Sequence, residues 1–475
     1  MFKFAIVSCL ALLVEGSAFA YDFRVTARTE GYGYQLRRYD QNGLTFLNRR
    51  QITQYLGLQI YNLLDPGQLA YKPNTRQPPA LLYAHALMRF FADFGDYADP
   101  IGSNPELRNN QFELLVGAIE GRNLLGWIDF SLGRQFEAEL MDFFAYDGLR
   151  VRVNTPWNIF VETYVGVQVD RTAPFSPAVF EIDGVTKDEN EKKIWAPTFG
   201  LAVGVDDFER FDLRMAYRGV ASKFDVADQS RVANAAGDSA SQSLWGIDQE
   251  LLFLSAGYRL PLVETQAMLG TRFNMLTGEV DDFQVGVAQR LGTRHQFQVD
   301  FLRSRPHFDG DSIFNIFATE PFTEIGGQYT IKLFDPMTLY SRVGYRWFWT
   351  DPAEGESPKP GATSLAAGAN WRNACLSSGL ELFYLDGYGG RKIGGDADVG
   401  WNLLRWLTLE GRMSLVGLEE DQRTDSSTLT FGLQLGGRVQ FIPGVILHVM
   451  AEDNISELYT SAFRLLAVLD LEFTP

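Results

Sequence analysis

The sequence predicts an all-β fold: a single closed antiparallel transmembrane β-barrel of about 22 strands, within a range of about 18 to 22, without a plug domain. Three observations predict it. Between Thr428 and Phe473, apolar residues recur at every second position over three consecutive runs, turned by Ile442-Pro443-Gly444 and a short polar loop. Such alternation over roughly ten residues is the signature of membrane-spanning strands, whereas soluble sheets use strands of about 5–6 residues. Second, short turns and long loops segregate. Counting back from the C-terminus, the turns at Pro443, Leu403, Asn373, Pro336, Gly292, Pro261, Asp206, Pro156 and Asn123 all fall on one side. The other side carries most of the long loops, as barrels with short periplasmic turns do. Third, the polar parity of the strands is rich in arginine, which hydrocarbon does not accept.

The last unit shows the pattern in full. Leu429, Phe431, Leu433, Leu435, Val439 and Phe441 share one parity, and Thr428, Thr430, Gln434, Arg438 and Gln440 the other. Val445, Leu447, Val449 and Ala451 oppose His448, Glu452 and Asn454; Phe463 to Phe473 repeats it against Arg464, Asp470 and Glu472.

From the N-terminus, residues 1–20 read as a secretory signal: Lys3 supplies the charge, Phe4 to Val14 the apolar run and Ala18-Phe19-Ala20 the cleavage site. The barrel is expected to occupy residues 21–475. Phe23 to Gly33 opens it, and Tyr34 to Thr45 reads as a polar loop. Leu81 to Asp93 reads as a strand, Asn110 to Gly121 with Leu125 to Gln135 as a hairpin, and Trp157 to Val169 as the clearest strand of the first half. Long polar loops are expected at Phe94 to Arg108, Arg171 to Trp195, Lys223 to Gly246, Pro306 to Pro321, Asp351 to Gly361 and Gly417 to Ser427. Twelve further strands fill the intervals from Thr198 to Val416, and an even number leaves both termini in the periplasm.

Composition bounds the function. A net charge of −17 argues against nucleic acid as a partner. With the signal removed only Cys375 remains, so stability must come from backbone pairing and packing. No apolar run reaches the roughly 20 residues of a spanning helix. Membrane association must come through strands, and the expected location is the cell outer membrane, with its lipid on the apolar face. Aromatics near strand ends fit two interfacial girdles: Tyr345, Trp347 and Trp349 at an outer end, Phe441 and Phe473 at periplasmic ends.

The opposite face carries Arg24, Arg28, Arg150, Arg152, Arg214, Arg218, Arg272, Arg342, Arg346, Arg412, Arg438 and Arg464. One mid-membrane arginine costs roughly 2–4 kcal/mol in lipid, so a dozen must line an interior. Side chains alone do not fill a lumen of this strand number, and water, loops or solute must occupy the rest. Glu30, Glu162, Glu264, Glu381, Glu410, Glu452 and Glu472 share that parity and would neutralise part of the set. Any positive charge left over would form a solute-guiding ladder. Phe136 to Tyr146 has helix-forming composition and lies on the outer-loop side. Folded inward, it would set Glu137, Glu139 and Asp142 against the arginines as a constriction; the competing readings are a cap over the mouth or an extra strand end.

Leu132-Gly133-Arg134-Gln135, followed by Tyr146-Asp147-Gly148-Leu149-Arg150, resembles Gram-negative porins and their larger relatives in alginate export. The resemblance covers about 20 residues. It implies that Arg134, Arg150 and Arg152 are lumen residues near a constriction. Barrels of this kind end on an aromatic residue read by the barrel-assembly machinery; here Thr474-Pro475 follows Phe473, so recognition would have to tolerate two further residues.

The sequence offers little for an enzyme. Of four histidines, His85 and His448 point inward but fall about four strands, or roughly 19 Å, apart. No HExxH, GxSxG, paired cysteine or phosphate-binding loop appears, and no metal or cofactor is expected. The expectation is a porin-like channel for passive diffusion or export of small polar or anionic solutes. The alternatives are an adhesive or structural barrel and, less favoured, a barrel hydrolase.

Overall fold

The computed structural model describes residues 22–40, 43–61, 63, 81–94, 111–139, 142–169, 196–208, 210–225, 243–260, 264–305, 321–349, 361–387, 390–419, 427–456 and 459–474. The expected signal and most of the expected long loops lie outside them. Every element among the described residues is a strand. In chain order the first are β1 (Phe23–Asp40), β2 (Gly43–Ile60), β3 (Leu81–Asp93), β4 (Gln111–Leu124), β5 (Ile128–Glu139) and β6 (Asp142–Asn154). Next come β7 (Ile159–Gln168), β8 (Pro197–Phe208), β9 (Phe211–Asp225), β10 (Ser243–Leu260) and β11 (Thr265–Asn274). The middle holds β12 (Glu279–Leu291), β13 (His295–Ser304), β14 (Phe322–Phe334), β15 (Met337–Phe348) and β16 (Ala362–Arg372). The last are β17 (Leu376–Gly387), β18 (Gly390–Leu404), β19 (Leu407–Glu419), β20 (Ser427–Ile442), β21 (Val445–Ser456) and β22 (Tyr459–Phe473).

Each strand pairs antiparallel with its neighbour in sequence, and β1 pairs with both β2 and β22. The 22-stranded sheet therefore closes on itself. Closure follows from the residues: with one face apolar, the sheet lies in lipid, where a free edge would leave unpaired backbone groups at several kcal/mol each. At about 4.8 Å between strands and a tilt of roughly 40°, a circular barrel of this count measures about 40 Å across at the backbone.

Alternation assigns the faces. In β20 Leu433, Leu435 and Phe441 are exposed on the outside, and Gln434 and Arg438 point inward. The lateral row Val299, Gly327, Val343 and Leu365 stays apolar across β13 to β16. A depression of about 760 Å³ among Phe297, Val343, Leu365, Leu382 and Ile393 lies on this outward face, so it meets lipid and is no part of the lumen. Aromatic rings gather at both margins. Tyr345 and Trp347 lie 5.4 Å apart near the outer one, and Phe334 and Trp371 pack edge-on at 5.8 Å near the periplasmic one. Turn chemistry closes the hairpins. Gly444 has φ +81°, and a Cβ there would fall 2.3 Å from the Glu472 carbonyl oxygen; only glycine fits.

Two expectations change. Of the expected polar loop from Tyr34 to Thr45, Tyr34 to Asp40 and Gly43 to Thr45 are strand instead, because β1 and β2 stay paired from Phe23↔Ile60 to Asp40↔Gly43. Polar residues satisfy a ladder as well as apolar ones where strands need not meet lipid. Phe136 to Glu139 and Asp142 to Tyr146 are not helical; Leu140 and Met141 lie outside the described residues. They form the end of the β5–β6 hairpin, paired from Gln135↔Tyr146 to Glu139↔Asp142. Glu, Ala, Leu and Met favour helices only weakly, and pairing continued from the wall outweighs that preference.

Candidate functional site: an inward hairpin over an arginine wall

The site begins where two wall ladders stop. β5 pairs with β4 only as far as Arg134↔Gly117, and β6 with β7 only as far as Tyr146↔Gln168. Beyond those points β5 and β6 pair with each other, and one further backbone bond, from the Val169 N–H to the Ala145 carbonyl at 2.9 Å, reaches the wall. Register then shows where the tip goes. Arg214 in β9 is level with Gly204, Phe160 and Asn154, the last residue of β6. Asn154 lies twelve residues along β6 from Asp142, about 40 Å of extended strand. Yet Glu139 Oε1 accepts a hydrogen bond from Arg214 Nε at 2.5 Å. The hairpin has therefore bent back into the lumen and runs down the inner wall of β7 to β9.

Its wall-facing side carries the carboxylates. The Arg214 guanidinium meets Glu139 at 2.5 Å, Glu162 of β7 at 2.9 Å and Glu137 at 3.4 Å. Arg218, one pleat pair further along β9, donates to Asp142. Both arginines also stack on rings: Arg214 lies 5.6 Å from the Phe160 centroid, and Arg218 lies 4.5 Å from Phe144 and 5.3 Å from Phe253. Beneath the hairpin the wall is packed like a protein interior. Phe144, Tyr146 and Tyr164 form one buried cluster, and Phe160, Ala202, Ala216 and Phe253 are part of another. Tyr146 and Tyr164 stack at 4.7 Å. Small residues make room: the Tyr164 ring covers Gly200, and the Phe160 ring covers Gly204. Folding back turns the hairpin's other side toward the axis, where Phe136 and Phe143 stack at 4.9 Å.

The lumen is thus unequal. On β6 to β11 the ion-paired inward arginines are covered, with Arg218 at 4%, Arg272 at 11%, Arg214 at 23% and Arg152 at 24% side-chain exposure. On β15 through β22 to β1 they are open, from 41% for Arg24 and Arg346 to 61% for Arg464. There Arg342 pairs with Glu381 and Arg346 with Glu324, each at 2.5 Å, Arg28 with Glu30 at 2.6 Å and Arg24 with Glu472 at 2.9 Å. Arg412 is 3.8 Å from Asp396. Arg150 and Arg438 have no carboxylate of a described residue within 4 Å. A recess of about 300 Å³ opens in this half among Asp398, Glu410, Arg412 and Gln434, with Gly400 and Gly436 in its lining.

Arg134 does not join the lumen set. It shares the outward parity of Leu132 and grips Asp147 through two bonds of 2.7 Å, with a third to the Leu114 carbonyl at 2.8 Å. At the margin where the hairpin leaves the wall, outward no longer means lipid, and the pair closes the gap. Glu264 is a turn residue with φ +48° rather than an inward strand residue. His85 and His448 sit on β3 and β21, four strand spacings apart; His448 instead contacts Glu410 at 3.0 Å. Sequence reasoning passed over the rings of Phe160, Phe253 and Tyr164. Their parity was legible as inward, but nothing in the sequence marks which inward rings a folded-back hairpin will cover.

An apolar outer belt around a charged interior, closed without an edge, defines a transmembrane β-barrel of the outer-membrane type. No protein-family model and no curated protein matches the chain. Among solved structures it is similar to OccK9 (OpdG) of Pseudomonas aeruginosa, at 10% identity and TM-score 0.40 over 96% of this chain and 98% of that one. It is also similar to OpdL of Pseudomonas aeruginosa, at 9% and 0.42 over 96% and 99%. A third is OccAB4 of Acinetobacter baumannii, at 8% and 0.40 over 97% and 100%. At such identities no residue-by-residue correspondence follows from them.

Proposed function

We propose that the chain is an outer-membrane channel for passive diffusion or export of small polar or anionic solutes, with the β5–β6 hairpin as its constriction. The observation that carries this reading is the open half of the inner wall. A barrel about 40 Å across leaves more room than one hairpin occupies, and guanidinium and carboxylate groups exposed there require water around them. Solute would pass between the Phe136–Phe143 pair and the charged wall from β15 to β1. Arg24, Arg28, Arg342, Arg346, Arg412 and Arg438 are the residues placed to meet it. Arg214, Arg218, Arg272 and Arg152 are engaged by carboxylates and act as hairpin supports and wall struts. Arg150, near the buried Tyr146, belongs to the same covered side.

A share in polysaccharide export, the narrower reading, is supported only by Leu132 to Gln135 and Tyr146 to Arg150. Recognition by an assembly machinery is supported by Phe473, which ends β22 and packs 6.0 Å from Phe23 at the closing seam. For catalysis, no group of three or more metal-ligating side chains gathers among the described residues.

Reversal potentials across planar bilayers under a salt gradient test the proposal. Purified protein is expected to conduct in discrete steps. Arg412→Glu with Arg438→Glu should move the reversal potential toward cation preference, and Arg218→Glu should act through stability instead. A barrel that inserts without any conducting step would contradict the channel, and a potential indifferent to Arg412 and Arg438 would contradict the assigned path.

A further inference from the structure

Charge does not balance under the hairpin. Four carboxylates, Glu137, Glu139, Asp142 and Glu162, meet two guanidinium groups, Arg214 and Arg218. The side chains of Glu137, Glu139 and Glu162 are only 8%, 8% and 6% exposed, and all three share one arginine. The elements packed against them bring little relief. β6 adds Arg150, which makes no ion pair within 4 Å among the described residues, and Arg152, which is engaged by Asp206. β7 adds Tyr164 and β10 adds Phe253; the inward positions of β8, from Thr198 to Gly204, carry no charge. Even with Arg150 counted, negative groups outnumber positive ones. A carboxylate that is buried without a cation keeps a proton instead.

The seat is also imperfectly bonded. The Gln135 amide oxygen and the Tyr146 hydroxyl are buried with no hydrogen-bond partner among the described residues. Past Arg134 and Tyr146 the hairpin keeps one backbone bond to the wall among the described residues, from the Val169 N–H to the Ala145 carbonyl at 2.9 Å, so its seat rests mainly on this cluster.

We propose that the Gln135–Tyr146 hairpin is a proton-held latch, seated across the lumen while the cluster retains its extra proton and released as that proton is lost. The inference rests on the channel reading above. Release would carry Glu137 and Glu139 into luminal water, where they ionise freely, together with Asp142, and would leave Glu162 with Arg214 and Arg218, a set no longer overloaded with negative charge. The seated state thus binds more protons than the released one. By linkage, low pH favours the seated, narrow lumen and rising pH the wide one, with a steepness of about one to two protons.

The test is single-channel conductance at fixed ionic strength from about pH 5 to about pH 9, spanning the range in which such a group exchanges its proton. The wild type should pass from a smaller step to a severalfold larger one as pH rises. Glu137→Gln and Glu139→Gln, each removing one surplus charge, should hold the small step at alkaline pH. Asp335→Asn, in the turn after β14, should titrate as the wild type does. In a Cys375→Ser background, Phe144→Cys should label with a membrane-impermeant maleimide faster at high pH than Gln434→Cys measured in parallel, which reports release without relying on conductance. Channels whose step ignores pH, or glutamine variants that titrate like the wild type, would overturn the latch. Absence of conductance at every pH, with Phe144→Cys labelling still pH-dependent, would overturn the channel reading and leave the latch standing.

Discussion

Arg218 and Arg412 sit on the same face of one sheet and are expected to respond differently to the same substitution. Arg218 is nearly inaccessible, held between two rings and hydrogen-bonded to Asp142. Removing one partner of such a buried pair leaves the other charge uncompensated, which costs about 3–5 kcal/mol. Arg412 is 59% exposed and 3.8 Å from Asp396, and pairs of that kind are worth about 0–1 kcal/mol. Urea midpoints in detergent micelles should therefore fall clearly for Arg218→Met and stay near the wild type for Arg412→Met. Equal midpoints would contradict the division of the lumen. Inward parity was legible for these arginines because lipid excludes them; which would be covered depended on contacts far apart in sequence, such as the 76 positions between Asp142 and Arg218, and no local pattern encodes that. Arg134 shows the limit of the parity rule, since its strand continues past the membrane and the outward side there is no longer apolar.

Strands were legible where lipid forces alternation and less so where it does not. β3 runs over Leu81–Asp93, the interval its parity marks, and β20 to β22 reproduce the three runs between Thr428 and Phe473. At the outer ends β1, β2 and the β5–β6 hairpin go on as paired ribbons with mixed side chains, so composition alone suggested loop or helix. Two element-scale outcomes follow. A Cβ at Gly200 would lie 2.1 Å from the Tyr164 ring, whereas one at Gly33 meets open space. Gly200→Val should destabilise by about 1–3 kcal/mol through overpacking, and Gly33→Ala should change the urea midpoint little. Replacing Glu137 to Phe144 with an Asn-Gly turn, which suits a two-residue hairpin, should leave a heat-modifiable barrel with a larger unitary conductance. An unchanged conductance would mean that the tip does not narrow the path.

At the scale of the whole molecule, one physical conflict organises the fold. Half of each strand's side chains suit hydrocarbon and the other half forbid it, so the sheet closes and keeps the second half inside. The inward hairpin then makes that interior unequal, drying the wall from β6 to β10 and leaving β15 through β22 to β1 wet. Cysteine accessibility in intact membranes, in a Cys375→Ser background, addresses this directly. A membrane-impermeant maleimide at neutral pH is expected to label Gln434→Cys and Arg412→Cys, to spare Leu433→Cys and Leu435→Cys in lipid, and to spare Glu162→Cys beneath the hairpin, a substitution that removes one of the surplus carboxylates there. Labelling of Leu433 and Leu435, or equal labelling of Glu162 and Arg412, would contradict it.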